Sequence, residues 1–172
     1  MLNLLLLCLL TVVAMEGFAY VMHRWVMHGP GWFLHKSHHR PRDGTFEFND
    51  LYALIFALPS LWLINRGIGG DLGNWAIAVG VGIATYGMIY FGFHDVIVHR
   101  RMSHRYIPKS AYMKRIVQAH RLHHAVESKH HGLSFGFLVA PPIDKLLLQL
   151  ETSRGRLRSP TGRETPAPSE AT

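Results

Sequence analysis

The chain has 172 residues, 48% of them hydrophobic, with a formal net charge of +7 and thirteen histidines. That length suits one compact domain and is too short for a catalytic domain plus a separate electron-transfer domain, and the single cysteine, Cys8, excludes both a disulfide framework and a thiolate metal site. The basic residues flank apolar runs instead of forming a stripe interleaved with stacking aromatics, so anionic lipid headgroups are the simpler partner and no nucleic acid is expected.

Leu2 to Met22 is almost uninterrupted apolar sequence, long enough for a membrane helix. It lacks a basic n-region and a small-residue cleavage site, and reads as a retained helix instead of a signal peptide. A polar, aromatic-rich segment follows from His23 to Asp50. A second apolar stretch, from Phe46 or Leu51 to Ile64, is short for a span and is closed by a glycine-rich turn from Arg66 to Asp71. The third, Trp75 to Phe93, carries glycines at 80, 82, 87 and 92 that permit close helix packing in lipid. His94 to His131 is basic and histidine-rich. Leu133 to Leu150 is apolar but interrupted by Pro141-Pro142, and reads as a re-entrant or interfacial piece. The fold expected is therefore an all-α integral membrane helical bundle over residues 1–151, with three spans plus that interfacial segment. Residues 152–172, rich in Ser, Thr, Pro and Arg, are expected to be a disordered tail.

Charge sets the expected topology. Of eighteen Lys and Arg residues, four lie between positions 23 and 50, eight between 94 and 131, and only Arg66 in the hairpin turn. The positive-inside rule then puts both histidine-rich segments at the cytoplasmic face of the inner membrane, with the N-terminus outside.

The histidines fall into four groups: His23 and His28 in HRWVMH; His35, His38 and His39 in HKSHH; His94 and His99 in HDVIVH; and His120, His123 and His124 in HRLHH. At about 100° per residue, positions i, i+3 and i+4 fall within roughly 100° of arc, so each triplet presents three imidazoles on one helical face, about half the shell of one metal ion. Residues five apart differ by roughly 140° on an ideal helix, so each pair either straddles two metals or sits where a helix ends. Gly29-Pro30 and Gly92 favour the second. Two matched sets of pair plus triplet suggest two five-nitrogen shells. Imidazole suits several metals; five nitrogens per ion exceed what structural zinc needs and leave a sixth position for oxygen species, which points to two iron ions, with zinc as the alternative.

Glu16, seven residues before His23 on nearly the same helical face, and Asp95 beside His94 are candidates for orienting an imidazole. Asp144 reads as a helix cap. His104, His130 and His131 are expected at the surface without a role.

The runs FAYVMHRWVMHG, HKSHHRPRDGTFEFND, FHDVIVHRR, RYIPKSAYMKRIVQAHRLHHAVESKHHG and SFGFLVAPP resemble the bacterial β-carotene hydroxylases, within the wider fatty-acid hydroxylase superfamily. The likeness covers roughly residues 14 to 150; the histidine boxes point to the superfamily, and RYIPKSAYMKR and SFGFLVAPP to the carotenoid branch. It implies a non-haem di-iron monooxygenase that places a hydroxyl on carbon 3 of β-ionone rings, taking β-carotene through β-cryptoxanthin to zeaxanthin. It implies as ligands His23, His28, His35, His38, His39, His94, His99, His120, His123 and His124. O2 is the implied co-substrate and the carotenoid would enter from the bilayer. The sequence has no flavin, haem or dinucleotide motif, so electrons would come from an external ferredoxin or NAD(P)H-linked reductase. Arg100, Arg101, Arg105, Lys109, Lys114 and Arg115 could dock such a donor or bind lipid headgroups. Rival readings are a fatty-acid or sterol hydroxylase or desaturase with the same metals, a bis-histidine haem b carrier, and a metal transporter, whose ligands should instead lie within the spans.

Overall fold

The computed structural model describes residues 1–41 and 44–152; the tail expected from 152 falls outside the described residues except for Thr152, which closes the last helix. In chain order the helices are α1 (Leu2–Val21), α2 (Trp32–His35), α3 (Tyr52–Ile68), α4 (Asn74–Tyr90), α5 (Ala111–His124) and α6 (Ile143–Thr152). Wider π-helical turns follow α1 at Met22–Met27 and α4 at Phe91–Val98, and tighter 3₁₀ turns lie at Lys36–His39 and Phe48–Leu51. No β-strand forms among the described residues. The all-α expectation holds.

Three helical runs are long and apolar enough to cross a membrane: Leu2–Met27, Phe48–Ile68 and Asn74–Val98, of 26, 21 and 25 residues. At about 1.5 Å per residue each matches or exceeds a hydrocarbon core of about 30 Å. The second is longer than its apolar stretch suggested, because the helix begins among polar residues at Phe48 and runs on past Arg66. The third continues through the HDVIVH box, so that histidine pair rides on the end of a span instead of opening a separate polar segment.

The residues divide into two compact units. The first comprises Met1–Val21 and Asn49–Tyr106. In it α4 packs against both α1 and α3. Only Met15 of α1 is buried, and Leu5, Leu6, Leu9, Leu10 and Val13 are exposed, a face suited to lipid. Small residues set the contacts. A Cβ on Gly82 would lie 2.7 Å from Thr11 Cβ and 2.8 Å from the Cys8 carbonyl of α1, and one on Gly80 would lie 2.8 Å from the Ser60 carbonyl of α3. Gly87 and Gly92 border open space, so the packing role expected of all four glycines belongs to two. Ser60 Oγ, buried, donates to the Gly80 carbonyl at 2.8 Å, a polar clasp between α3 and α4. The turn joining them needs left-handed backbone at Gly70 (φ 83°) and Gly73 (φ 74°).

The second unit comprises Met22–Phe48 and the chain from Ile107. Ser110 caps α5, its Oγ accepting from the Met113 N–H at 3.2 Å. The inner face of α5 (Ile116, Ala119) packs with Val126, Leu133, Ala140 and Leu146 of α6 into a small core. The Leu133–Leu150 stretch is helical only from Ile143, after the two prolines, and the ten residues of α6 are too few to span. Asp144 lies in its first turn, where a carboxylate opposes the helix dipole.

Candidate metal centre

The two histidine pairs are built by the π-helical turns. The His28 N–H donates to the His23 carbonyl at 3.0 Å, and the His99 N–H to the His94 carbonyl at 2.9 Å. A turn closed by i→i+5 bonds brings residues five apart onto one face, which an α-helix cannot do. The rings of His23 and His28 are accordingly 5.2 Å apart and those of His94 and His99 4.5 Å apart. Each box is thus a helix-end feature, as the flanking glycines suggested, and the pair points one way.

The two triplets do not each serve one centre. Within the second unit, one ring nitrogen from each of His23, His28, His35, His39 and His123 lies within 4.8 Å of every other. His38 is not among them; its ring lies 4.7 Å from that of His124, against 5.6 Å from His35 and 6.5 Å from His39. The Nε2 atoms of His120 and His124 approach to 2.9 Å. The triplets have therefore exchanged their middle members. The His35 triplet passes from α2 into the 3₁₀ turn at Lys36–His39, whereas His120, His123 and His124 all lie on α5, and on an α-helix i and i+4 are about 40° apart while i+3 lies about 60° to the other side of i. A triplet is wide enough to face two centres, with the i, i+4 pair on one and i+3 on the other. His94 and His99 belong to the first unit, where Tyr90 stacks on His94 with ring centroids 4.5 Å apart.

Eight of the ten box histidines are buried, and His23 and His99 are half-buried. What holds the five-histidine group is main chain. Nδ1 of His23 donates to the Phe135 carbonyl at 3.0 Å, that of His28 to Lys129 at 3.2 Å, that of His39 to Val126 at 2.8 Å, and that of His123 to Leu133. The loop from Val126 to Phe135 folds its carbonyls inward, with left-handed backbone at His131 (φ 66°) and Ser134 (φ 51°). Fixing the proton on Nδ1 leaves the Nε2 lone pair of each ring directed at its neighbours. His28 and His123 face each other Nε2 to Nε2 at 3.2 Å, and neither nitrogen has a proton to share. Two lone pairs in that relation repel, and a cation between them removes the repulsion. Ligands bound at about 2.0–2.1 Å sit about 3 Å apart around one ion, close to the 3.2 and 3.3 Å of His23–His35 and His39–His35. Burial lowers the His28 pKa to about 4, and burial together with neighbouring imidazoles holds His123 well below its ordinary value. Both rings are neutral at physiological pH, the state in which imidazole ligates.

Sequence reasoning missed Glu47. Its Oε2 accepts from His38 Nδ1 at 2.8 Å, and both side chains are nearly inaccessible. The available signal was an acid flanked by two phenylalanines in TFEFND. Of the two acids that were singled out, Asp95 lies beside its histidine, Oδ2 3.6 Å from His94 Nδ1, and is bonded by Arg101 Nε at 3.0 Å. Glu16 accepts from the Tyr86 hydroxyl at 2.8 Å, across the α1–α4 contact. Arg101 also pairs with Asp50, whereas Arg100, Arg105, Lys109, Lys114 and Arg115 are exposed. His104 is tied to the main chain through the Val96 carbonyl and the Tyr106 N–H, and His130 and His131 are exposed.

Residues 8–148 match the fatty acid hydroxylase family. The chain is 50% identical to a protein named β-carotene hydroxylase from Paracoccus sp. strain N81106, over 90% of this chain and 94% of the relative. It is 48% identical to another of that name from Pantoea ananas, over 87% and 85%. A chloroplastic β-carotene 3-hydroxylase from Haematococcus lacustris is 38% identical over 87% of this chain and 51% of its own length. No solved structure matches.

Proposed function

The chain belongs to the fatty acid hydroxylase family, and from that premise we propose that it hydroxylates carbon 3 of β-ionone rings, converting β-carotene to β-cryptoxanthin and zeaxanthin. The observation that carries this reading is the identity of about half to bacterial proteins named β-carotene hydroxylase, over nearly the whole chain. The name of the Haematococcus relative supports position 3.

Two iron ions would be held by the ten box histidines. Five of these converge already, and His94 and His99 are the counterpart of His23 and His28 in sequence and in π-helical geometry. Bound iron supplies the redox chemistry that, with O2, two electrons and two protons, converts a ring C–H to C–OH and releases water. The protein's part is binding, orientation and exclusion of water. The Val126–Phe135 carbonyls and Glu47 hold these imidazoles in one tautomer, and burial keeps His28 and His123 neutral. The lipid-facing helices would admit the polyene from the bilayer. A ferredoxin-type donor would supply electrons at the exposed basic residues on the cytoplasmic side of the inner membrane.

The test is the pigment profile of β-carotene-accumulating bacteria expressing this chain, resolved by chromatography. Mono- and dihydroxylated products are expected. Unchanged β-carotene, with the protein present in membranes and a ferredoxin supplied, would redirect the assignment to a sibling lipid hydroxylase or desaturase.

A further inference from the structure

Glu47 sits in an inverted pattern. Its neighbours Phe46 and Phe48 are 63% and 62% exposed while its own side chain is 9% exposed. Phenylalanine rings can give their surface to lipid, but a carboxylate taken from water is costly unless it is strongly bonded. Alternation along the chain forces a choice between burying the acid and burying the rings, and here the acid is inside. The compensation is His38, whose side chain is 2% exposed and whose Nδ1–H donates to Oε2 at 2.8 Å. His38 is also the member of its triplet that stands outside the five-histidine group, its ring 4.7 Å from that of His124. Four of the other box histidines are held by neutral carbonyls, so His38 is anchored by a different chemistry.

We infer that Glu47 is a positioning residue for metal binding: it orients His38, fixes its proton on Nδ1 and raises the basicity of Nε2 toward the ion that His38 ligates. This rests on the metal reading above but not on the carotenoid substrate. A carboxylate on the far nitrogen gives imidazole more anionic character than a carbonyl does, which strengthens its bond to the metal and favours the oxidised ion.

The experiment uses the full chain, purified in detergent and loaded with ferrous iron, as wild type, Glu47→Gln and Glu47→Ala. Iron per chain is followed during challenge with a chelator, alongside the Mössbauer spectrum and thermal unfolding of metal-free protein. The alanine variant should bind the affected iron about 10–100-fold more weakly. Glu47→Gln, isosteric and still able to accept from Nδ1–H, should fall between, and it carries the test if the alanine variant does not accumulate. The spectrum should change in one of the two iron environments. A merely structural carboxylate would lower the unfolding temperature of metal-free protein and leave iron release and spectrum at wild-type values; that result overturns the inference. A wild type that retains no iron would overturn it together with the metal reading. Wild type that retains iron yet leaves β-carotene untouched, with the variants releasing iron faster, would remove only the substrate assignment.

Discussion

His28 and His123, 95 residues apart in the chain, face each other through their Nε2 atoms at 3.2 Å while their Nδ1 atoms are bonded to the carbonyls of Lys129 and Leu133. His123 therefore works with the first two boxes although it is written in the fourth, and His38 makes the reciprocal move. Each substitution should remove a ligand from the group opposite to the one its sequence position suggests. For His123→Ala and His38→Ala we expect loss of hydroxylation with membrane insertion intact, read by pigment profile and by protein in the membrane fraction. The same variants should lose iron from different environments in the Mössbauer spectrum. Near-normal turnover in either variant would strike that residue from the ligand set.

The glycines of α4 offer a stability test in which one face is crowded and the other open. Gly82→Ala drives a Cβ against Thr11 and the Cys8 carbonyl, and because backbone cannot yield as a side-chain tip does, α1 must move. Overpacking of this kind costs about 1–3 kcal/mol. Gly87→Ala meets nothing within 4 Å and should be neutral or slightly stabilising. Detergent-solubilised variants compared by thermal unfolding should separate by several degrees. Equal midpoints would mean that the α1–α4 contact is looser in the membrane than the spacing here implies.

Composition and periodicity were enough to read three apolar helices and four histidine groups, because both depend on local pattern. They could not give the division of ligands. An ideal-helix projection treats the triplet as one face, and only the fold decides whether 100° of arc addresses one centre or two. The pairs could be placed at helix ends from their flanking glycines, but not onto one face: the projection assumes 3.6 residues per turn, and His23–His28 and His94–His99 lie in π-helical turns. The orienting groups were the least legible. Carbonyls of Val126, Lys129, Leu133 and Phe135 carry no sequence signature at all, since every residue has one. Glu47 did have a signature, but its significance depended on knowing that Phe46 and Phe48 point outward.

The membrane orientation proposed above rests on charge alone and can be checked without knowing the substrate. Reporter fusions after Gly70, in the turn between α3 and α4, should be active as alkaline phosphatase outside the membrane and dark as green fluorescent protein. Fusions after Ser128 or at the C-terminus should behave in the opposite way. The reverse pattern would put the histidine-rich segments outside, where no cytoplasmic ferredoxin could reach them, and the proposed electron source would have to be abandoned. Moving the basic excess should weaken the preference: replacing Lys109, Lys114 and Arg115 by glutamine is expected to give mixed reporter activity, since positive charge near span ends sets orientation.

The basic residues after the third box divide into two kinds, and the division makes opposite demands on kinetics. Lys109, just before the Ser110 cap, and Lys114, just past the first turn of α5, stand near the positive end of a helix dipole, where cations are disfavoured. Exposed cations in such a place suit a partner that brings negative charge. Reversal by Lys114→Glu with Arg115→Glu, measured on detergent-solubilised protein so that membrane orientation does not enter, should raise the KM for a ferredoxin-type donor about tenfold at low salt and leave kcat at saturating donor nearly unchanged, the difference shrinking as salt rises. Arg101 is unlike these: its side chain is 16% exposed and its guanidinium bridges Asp50 and Asp95, the latter beside His94. Arg101→Ala should therefore lower kcat and iron retention without a salt-dependent KM, because it takes a cation from two partly buried carboxylates, one of them beside His94. Turnover against donor concentration at two ionic strengths tells the two kinds apart. If charge reversal at Lys114 and Arg115 leaves the donor KM untouched but loosens the protein from anionic vesicles, those side chains serve the lipid surface and the donor docks elsewhere.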